Sequence, residues 1–154
     1  PVKSVKRPAV DSKEGRTPAL CDHQARQLLE ASEAASVKGK RDQAILATLL
    51  HHALRRDELC RLKVKDFGQE RRGVPHLKVS GKGGKTRYVP LHPAASGPVV
   101  DYIEASGHRL DAEGALFRSL RGDRALTGDA VYKLVRAHSE RLGFRVGAHS
   151  LRAT

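Results

Sequence analysis

The run DQAILATLLHHALRRDEL, residues 42–59, contains the clearest helical pattern in the chain. Its apolar residues recur three, four and seven positions apart, which places them on one face of a helix. They are Ile45, Leu46, Leu49, Leu50 and Ala53. The sequence therefore predicts that this helix is central to the hydrophobic core, with a second short helix beginning near Arg55.

Weaker patterns surround this helix. Helical spacing predicts helices over residues 20–31, after Pro98 up to Gly107, and over 127–142. A polar break over 36–40 is predicted to end the first of these helices. Residues 76–91 alternate with period two around the turn Gly81-Lys82-Gly83-Gly84, which predicts a β-hairpin. The predicted fold class is α+β, a mainly helical domain with a small antiparallel β-sheet.

The composition favours a polyanionic partner. The 154 residues include 29 Lys and Arg against 17 Asp and Glu, a formal net charge of +12. No apolar run approaches the ~20 residues of a bilayer span, so we expect a cytoplasmic protein without a membrane partner. Cys21 and Cys60 have no partner at metal-site spacing, which favours reduced thiols.

Three short basic stretches carry the candidate chemistry: residues 53–59, 81–87 and 149–154. Arginine donates two parallel hydrogen bonds to a phosphate and stays charged in any environment. Arg55 and Arg152, from separate stretches, could therefore hold one phosphate from two directions. Lysine can lose its proton, so Lys82 in the glycine-rich turn is suited to proton donation.

In order and local sequence, these stretches resemble the catalytic core of the tyrosine recombinase (phage integrase) family. The resemblance implies that Arg55 and Arg152 bind the scissile phosphate and that Lys82 protonates the leaving 5′ oxygen. It implies that His149 hydrogen-bonds the same phosphate and helps to accept the tyrosine proton. Glu58 would accept a hydrogen bond from a catalytic cation and orient it, without contacting the reacting atoms itself. No cofactor or metal is implied.

The first stretch departs from the family pattern at two positions. The family usually carries glycine where this chain has Ala53, and an aliphatic residue where it has Arg56. An arginine followed three residues later by glutamate and then leucine matches Arg55, Glu58 and Leu59. The alternative is that both arginines form a solvated helix face, and Lys85 competes with Lys82 in the second stretch.

The resemblance also implies double-stranded DNA as the partner, with self-association on DNA in the full-length protein. Residues 1–18 are predicted to be a basic interdomain linker and residues 19–154 the catalytic domain. Five further cations are expected to aid DNA binding. They are Arg56, Lys85, Arg87, Lys133 and Arg136.

The family's nucleophilic tyrosine lies beyond the second arginine stretch, whereas Tyr88, Tyr102 and Tyr132 all precede it. We therefore expect residues 1–154 to bind DNA without cleaving it, and a longer parent to break and rejoin DNA through a 3′-phosphotyrosyl intermediate. Two alternatives remain open. One is a type IB topoisomerase-like enzyme, and the other is a non-enzymatic DNA-binding module with a degenerate recombinase pocket.

Overall fold

The computed structural model describes residues 21–30 and 35–143, which form five α-helices and one three-stranded sheet. Short 3-10 turns lie at Val64–Asp66 and Lys82–Gly84. The predicted α+β class, mainly helical with a small antiparallel sheet, is confirmed. In chain order the elements are α1 (Asp22–Glu30), α2 (Val37–His52), α3 (Arg56–Arg61), β1 (Phe67–Arg71), β2 (Val74–Ser80), β3 (Thr86–Pro90), α4 (Pro93–Ser106) and α5 (Gly128–Arg141).

Helix α2 forms the centre of the core, as its apolar pattern predicts. Ile45, Leu46 and Leu49 are completely buried, and α2 packs mainly against α4. The predicted polar break over 36–40 is wrong, because Ser36 caps the helix by accepting a hydrogen bond from the Gly39 N–H at 2.9 Å. Residues 37–40 are therefore the first turn of α2, where the sequence offers polar side chains but a good N-cap.

The sheet has the order β1-β2-β3 with antiparallel pairing throughout. The predicted hairpin corresponds to β2 and β3, which pair Leu77 with Val89 and Val79 with Arg87. Strand β1 was not predicted, because Phe67 is its one apolar side chain and a bulge interrupts the pairing between Phe67 and Gln69. Such a short strand carries too little alternation to be recognised.

Helix α4 begins at Pro93, six residues before the predicted start at Val99. Proline suits the first position of a helix because its missing N–H would have no partner there. His92 caps the helix, since its Nδ1 accepts a hydrogen bond from the Ala94 N–H at 3.0 Å. Pro98 lies inside α4, so the expectation that the helix starts after it is wrong.

A buried ionic cluster joins α2 to α5. The Asp42 side chain is 1% exposed and accepts hydrogen bonds from Lys38 Nζ at 2.8 Å, Arg41 Nη2 at 3.0 Å and His138 Nε2 at 3.1 Å. Burial by itself raises the pKa of the Asp42 carboxyl, but the hydrogen bonds from His138 and Lys38 outweigh it and hold the pKa below its usual value. Arg41 also donates to the Arg118 carbonyl at 3.0 Å, which ties the loop before α5 to α2.

Candidate active site

One cleft of about 600 Å³ lies between the N-terminus of α3 and the β2–β3 turn. It brings together two of the four predicted catalytic residues, Arg55 and Lys82. The other two, His149 and Arg152, lie outside the described residues, as does the predicted linker 1–18. The cleft is lined by Arg55, Glu58, Gly81, Lys82, Lys85, Thr86 and Arg87.

Arg55 is the residue immediately before α3, in an extended conformation with φ −76° and ψ 154°. Its neighbour Leu54 and the helical residue Leu59 are both buried, so core packing fixes the chain on either side. Its own N–H donates to Glu58 Oε2 at 3.0 Å. The Arg55 side chain is exposed and lines the cleft, where it could reach an anion.

Lys82 occupies a tight turn that depends on glycine. Gly83 and Gly84 both have φ of +75°, a backbone conformation that residues with a Cβ rarely adopt. The Gly81 N–H donates to the Lys85 carbonyl at 2.6 Å and closes the turn at its base. The turn therefore presents Lys82 and Lys85 as exposed cations at the edge of the cleft.

Glu58 is the buried carboxylate of the site, with 5% of the residue exposed. Arg87 holds it with two parallel hydrogen bonds, Nη1 to Oε1 and Nη2 to Oε2, each 2.9 Å long. Hydrogen bonding to Arg87 keeps the pKa of Glu58 below its usual value and raises the pKa of Arg87. Glu58 thus binds the guanidinium of Arg87, and it accepts a hydrogen bond from the backbone N–H of Arg55. From sequence, Arg87 was expected only to aid DNA binding.

Arg56 points away from the cleft. Its Nη1 lies 3.5 Å from the Gly128 carbonyl oxygen, and its Cζ lies 5.5 Å from the centre of the Tyr132 ring. Both partners are in the first turns of α5. The two adjacent arginines therefore have different surroundings, one facing the cleft and the other joining α3 to α5.

The predicted DNA-binding cations of α5 are paired with side chains of the same helix. Lys133 Nζ lies 3.0 Å from Asp129 Oδ2, and Arg136 Nε lies 3.0 Å from Glu140 Oε1. Arg136 Nη1 also donates to the Tyr132 hydroxyl at 2.8 Å. The exposed pairs are weak and remain open to competition by phosphate.

No tyrosine of the described residues lines the cleft. Tyr102 is 2% exposed and its hydroxyl accepts from the Arg118 N–H at 3.1 Å, while Arg71 lies 3.8 Å from the Tyr88 ring centre. Within residues 21–30 and 35–143, no group of three or more His, Cys, Asp or Glu side chains is placed to hold a metal ion.

A histidine cluster that was not predicted from sequence lies between α2 and α4. His51 stacks on His92 with ring centres 4.2 Å apart. His52 Nε2 accepts from the His92 N–H at 3.0 Å, and its Nδ1 donates to the Thr48 carbonyl at 3.1 Å. Burial lowers the pKa of His52 below its usual value. The adjacent pair His51-His52 at a helix end was the available signal.

Comparison with known proteins agrees with this architecture. Residues 19–154 match the phage integrase family. The chain is 36% identical over 149 residues to a tyrosine recombinase XerC of Pelobacter propionicus, covering 95% of this chain and 48% of that protein. It is 33% identical over 142 residues to a tyrosine recombinase XerC of Halalkalibacterium halodurans, covering 86% and 46%. The chain thus spans about half the length of these relatives.

Solved structures show the same fold. The XerH site-specific recombinase bound to a palindromic difH substrate matches with a TM-score of 0.71 at 24% identity, over 88% of this chain and 40% of that one. A lambda integrase dimer bound to a COC′ core site matches with a TM-score of 0.66 at 18% identity, over 89% and 39%. The chain belongs to the phage integrase family, the family of tyrosine recombinases, as the sequence predicted.

Among the described residues, no helix is both long and apolar enough to cross a bilayer.

Proposed function

We propose that the chain is the catalytic domain of a site-specific DNA recombinase that breaks and rejoins strands through a 3′-phosphotyrosyl intermediate. The observation that supports this most is the shared cleft of Arg55 and Lys82, which lie 27 positions apart in sequence and on different elements. A transferring phosphate needs fixed positive donors where negative charge accumulates. The proposed reaction is inferred from membership of the family, and the cleft contains two of the positive donors that this reaction needs.

In this proposal Arg55 donates hydrogen bonds to the non-bridging oxygens of the scissile phosphate. The Arg55 N–H donates to Glu58 and the flanking leucines are buried, so the backbone from which this side chain extends is held in place at the cleft. Arg152 and His149 are proposed to contact the same phosphate from the C-terminal stretch. A tyrosine C-terminal to that stretch is proposed as the nucleophile.

The partner that we propose is double-stranded DNA, with self-association on the DNA in the full-length protein. The net charge of +12 and the exposed lysines of the turn support a polyanionic ligand. Relatives and structural neighbours named as recombinases or integrases, some of them solved as DNA complexes, support the same partner. A cytoplasmic location belongs to this proposal too, and its support is the bacterial origin of the relatives.

Covalent trapping tests the enzymatic proposal. A chain extended through the gene sequence that follows Thr154 is incubated with a nicked duplex whose cleavage is irreversible, and covalent protein–DNA product is measured. We expect a product joined through tyrosine, which disappears in the matching Tyr→Phe variant. DNA binding without any covalent product would favour the non-enzymatic module instead.

Lys82 is proposed to protonate the leaving 5′ oxygen. A leaving group of low pKa needs no proton donor, so a substrate with sulfur in place of the bridging 5′ oxygen should cleave at a near-normal rate in Lys82→Ala. The same variant should slow cleavage of ordinary DNA by about 10² to 10⁴-fold. Equal loss on both substrates in the extended chain would contradict this role, and Lys85→Ala should show no rescue by sulfur.

A further inference from the structure

The pair Glu58–Arg87 joins the two sides of the cleft. Glu58 belongs to α3, whose first residue follows Arg55, and Arg87 belongs to β3, which starts directly after the Lys82 turn. The two side chains meet through two hydrogen bonds of 2.9 Å. The Glu58 carboxylate also lies beside the base of the turn, since a Cβ on Gly81 would be 3.9 Å from its Oε1.

Glu58 also contacts the segment that carries Arg55. The same carboxylate accepts the Arg55 N–H at 3.0 Å, so one buried group contacts both the Arg55 segment and the strand that carries the turn. Val79 is the antiparallel partner of Arg87 and is fully buried, which fixes the strand register beneath the pair. The ion pair and the buried strand register therefore both restrict movement of the base of the turn relative to Arg55.

We propose that Arg87 is a positioning residue, which holds the Lys82 turn in place against Arg55 by clamping Glu58. This inference rests on the proposed function of Lys82 and Arg55 and deepens it. Both terminal nitrogens of Arg87 bind the carboxylate, so its main contact is with the protein and its contribution to DNA affinity is secondary. A planar fork is needed for this contact, because lysine offers a single point charge.

Hydrogen exchange on the chain of residues 1–154 tests the clamp without reference to catalysis. In Arg87→Ala we expect the amides of residues 80–87 to exchange at least several-fold faster than in the unmodified protein. Because loss of Arg87 leaves a buried carboxylate unpaired, the double variant Arg87→Ala with Glu58→Gln provides a folded counterpart with the clamp removed. Lys85→Ala removes one positive charge from the same turn and should leave the exchange of the β2–β3 ladder unchanged.

Exchange of residues 80–87 that stays at the original rate in both Arg87 variants would overturn the clamp. This outcome is independent of whether the extended chain cleaves DNA. Failure of the extended, otherwise unmodified chain to cleave would instead overturn the proposed function, and the exchange measurement would still decide whether Arg87 fixes the turn.

Cleavage of two substrates by the extended chain tests the positioning role itself. Arg87→Ala should slow cleavage of ordinary DNA on the order of 10²-fold, the size expected when a catalytic group is misplaced by about 1 Å. The loss should shrink on the substrate with a bridging 5′ sulfur, because that substrate does not need Lys82. The cleavage rate of Arg87→Lys on ordinary DNA should lie between that of Arg87→Ala and that of the unmodified chain. Equal slowing on both substrates would overturn the inference, since a direct phosphate ligand or a merely destabilised fold affects both alike.

Discussion

At the scale of single residues, Arg55 and Arg56 show how neighbouring side chains of the same type acquire different roles. Arg55 precedes the helix and faces the cleft, while Arg56 is the first residue of α3 and contacts Gly128 and Tyr132 of α5. The sequence motif could select Arg55 by its spacing to Glu58 and Leu59. It could not show that Arg56 contacts α5, because that contact spans 72 residues.

Substitution of the two arginines separates these roles. In the extended chain, Arg55→Ala should lower the cleavage rate about 10² to 10³-fold, as for removal of one preorganised donor. Arg56→Ala should instead lower the free energy of unfolding by about 1 kcal/mol, because it loses a cation–π contact and one long hydrogen bond. Cleavage assays and urea denaturation measure the two effects. The reverse ranking in cleavage would show that the motif register is wrong by one residue.

Ala53 has φ 52° and ψ 39°, a left-handed conformation at the end of α2. Glycine adopts this conformation without the steric cost that a Cβ brings. Ala53→Gly removes the steric cost of the left-handed backbone, but it also increases the conformational entropy of the unfolded chain, which lowers stability. We expect the balance to stabilise the protein by up to about 1 kcal/mol. Denaturant unfolding measures the change.

Gly107 provides the reverse control, since it ends α4 with φ 73° and a Cβ added there would meet no other atom within 4 Å. Gly107→Ala should destabilise the protein by about 1 kcal/mol for the backbone reason alone. A loss of stability in Ala53→Gly would mean that the Ala53 methyl group contributes packing that outweighs its strained backbone.

At the scale of elements, predictability follows the length and clarity of the apolar pattern. Helix α2 and the β2–β3 hairpin were predicted because each carries several apolar residues at one period. Strand β1 was missed because its five residues FGQER contain one apolar side chain. The Glu58–Arg87 pair was not predicted, because its two residues are 29 positions apart in sequence. The period-two alternation did indicate that Arg87 and Val89 lie on the same face of their strand.

The contact between α2 and α4 through His52 predicts a pH dependence of stability. Burial lowers the pKa of His52 in the folded state, so between its folded and unfolded values the unfolded chain binds more protons. Its contribution is fully present above the ordinary histidine pKa of 6.5 and is lost as the pH falls below it. Unfolding by urea at several pH values should therefore show stability falling from pH 7.5 to 5.5, by at most ~1.4 kcal/mol per pH unit for this group.

The variant His52→Gln should flatten this pH dependence, because it removes the titrating ring. His23→Gln is the matched control, since His23 is an exposed residue of α1, and it should leave the slope unchanged. His51 and His108 also have lowered pKa values through burial, so part of the slope should persist in His52→Gln. A profile identical to that of the unmodified protein would exclude His52 as a contributor.

At the scale of the whole molecule, the net charge of +12 predicts that duplex binding weakens steeply with salt. We expect the chain of residues 1–154 to bind duplex DNA with little sequence preference, because phosphate contacts carry no sequence information. Fluorescence anisotropy at several salt concentrations gives the slope of log K against log salt. Lys85→Ala should reduce that slope by about 0.9 if its ammonium contacts one phosphate.

Lys65 offers a control for the same loss of charge, since it lies outside the residues that line the cleft. Lys65→Ala should leave the slope unchanged. Affinity that hardly varies with salt, or no binding at low salt, would count against a nucleic-acid partner for this chain.

The two outer strands of the sheet have a consequence for the protein at high concentration. In the described part of the chain, β1 and β3 each pair on one side only. The bulge after Phe67 bends β1, and β3 ends at Pro90, which has no N–H to offer. Neither edge therefore presents a long straight row of free backbone groups to a second copy. The bulge that makes β1 hard to recognise from sequence, together with Pro90 at the end of β3, thus leaves both outer strands poorly suited to adding a further strand.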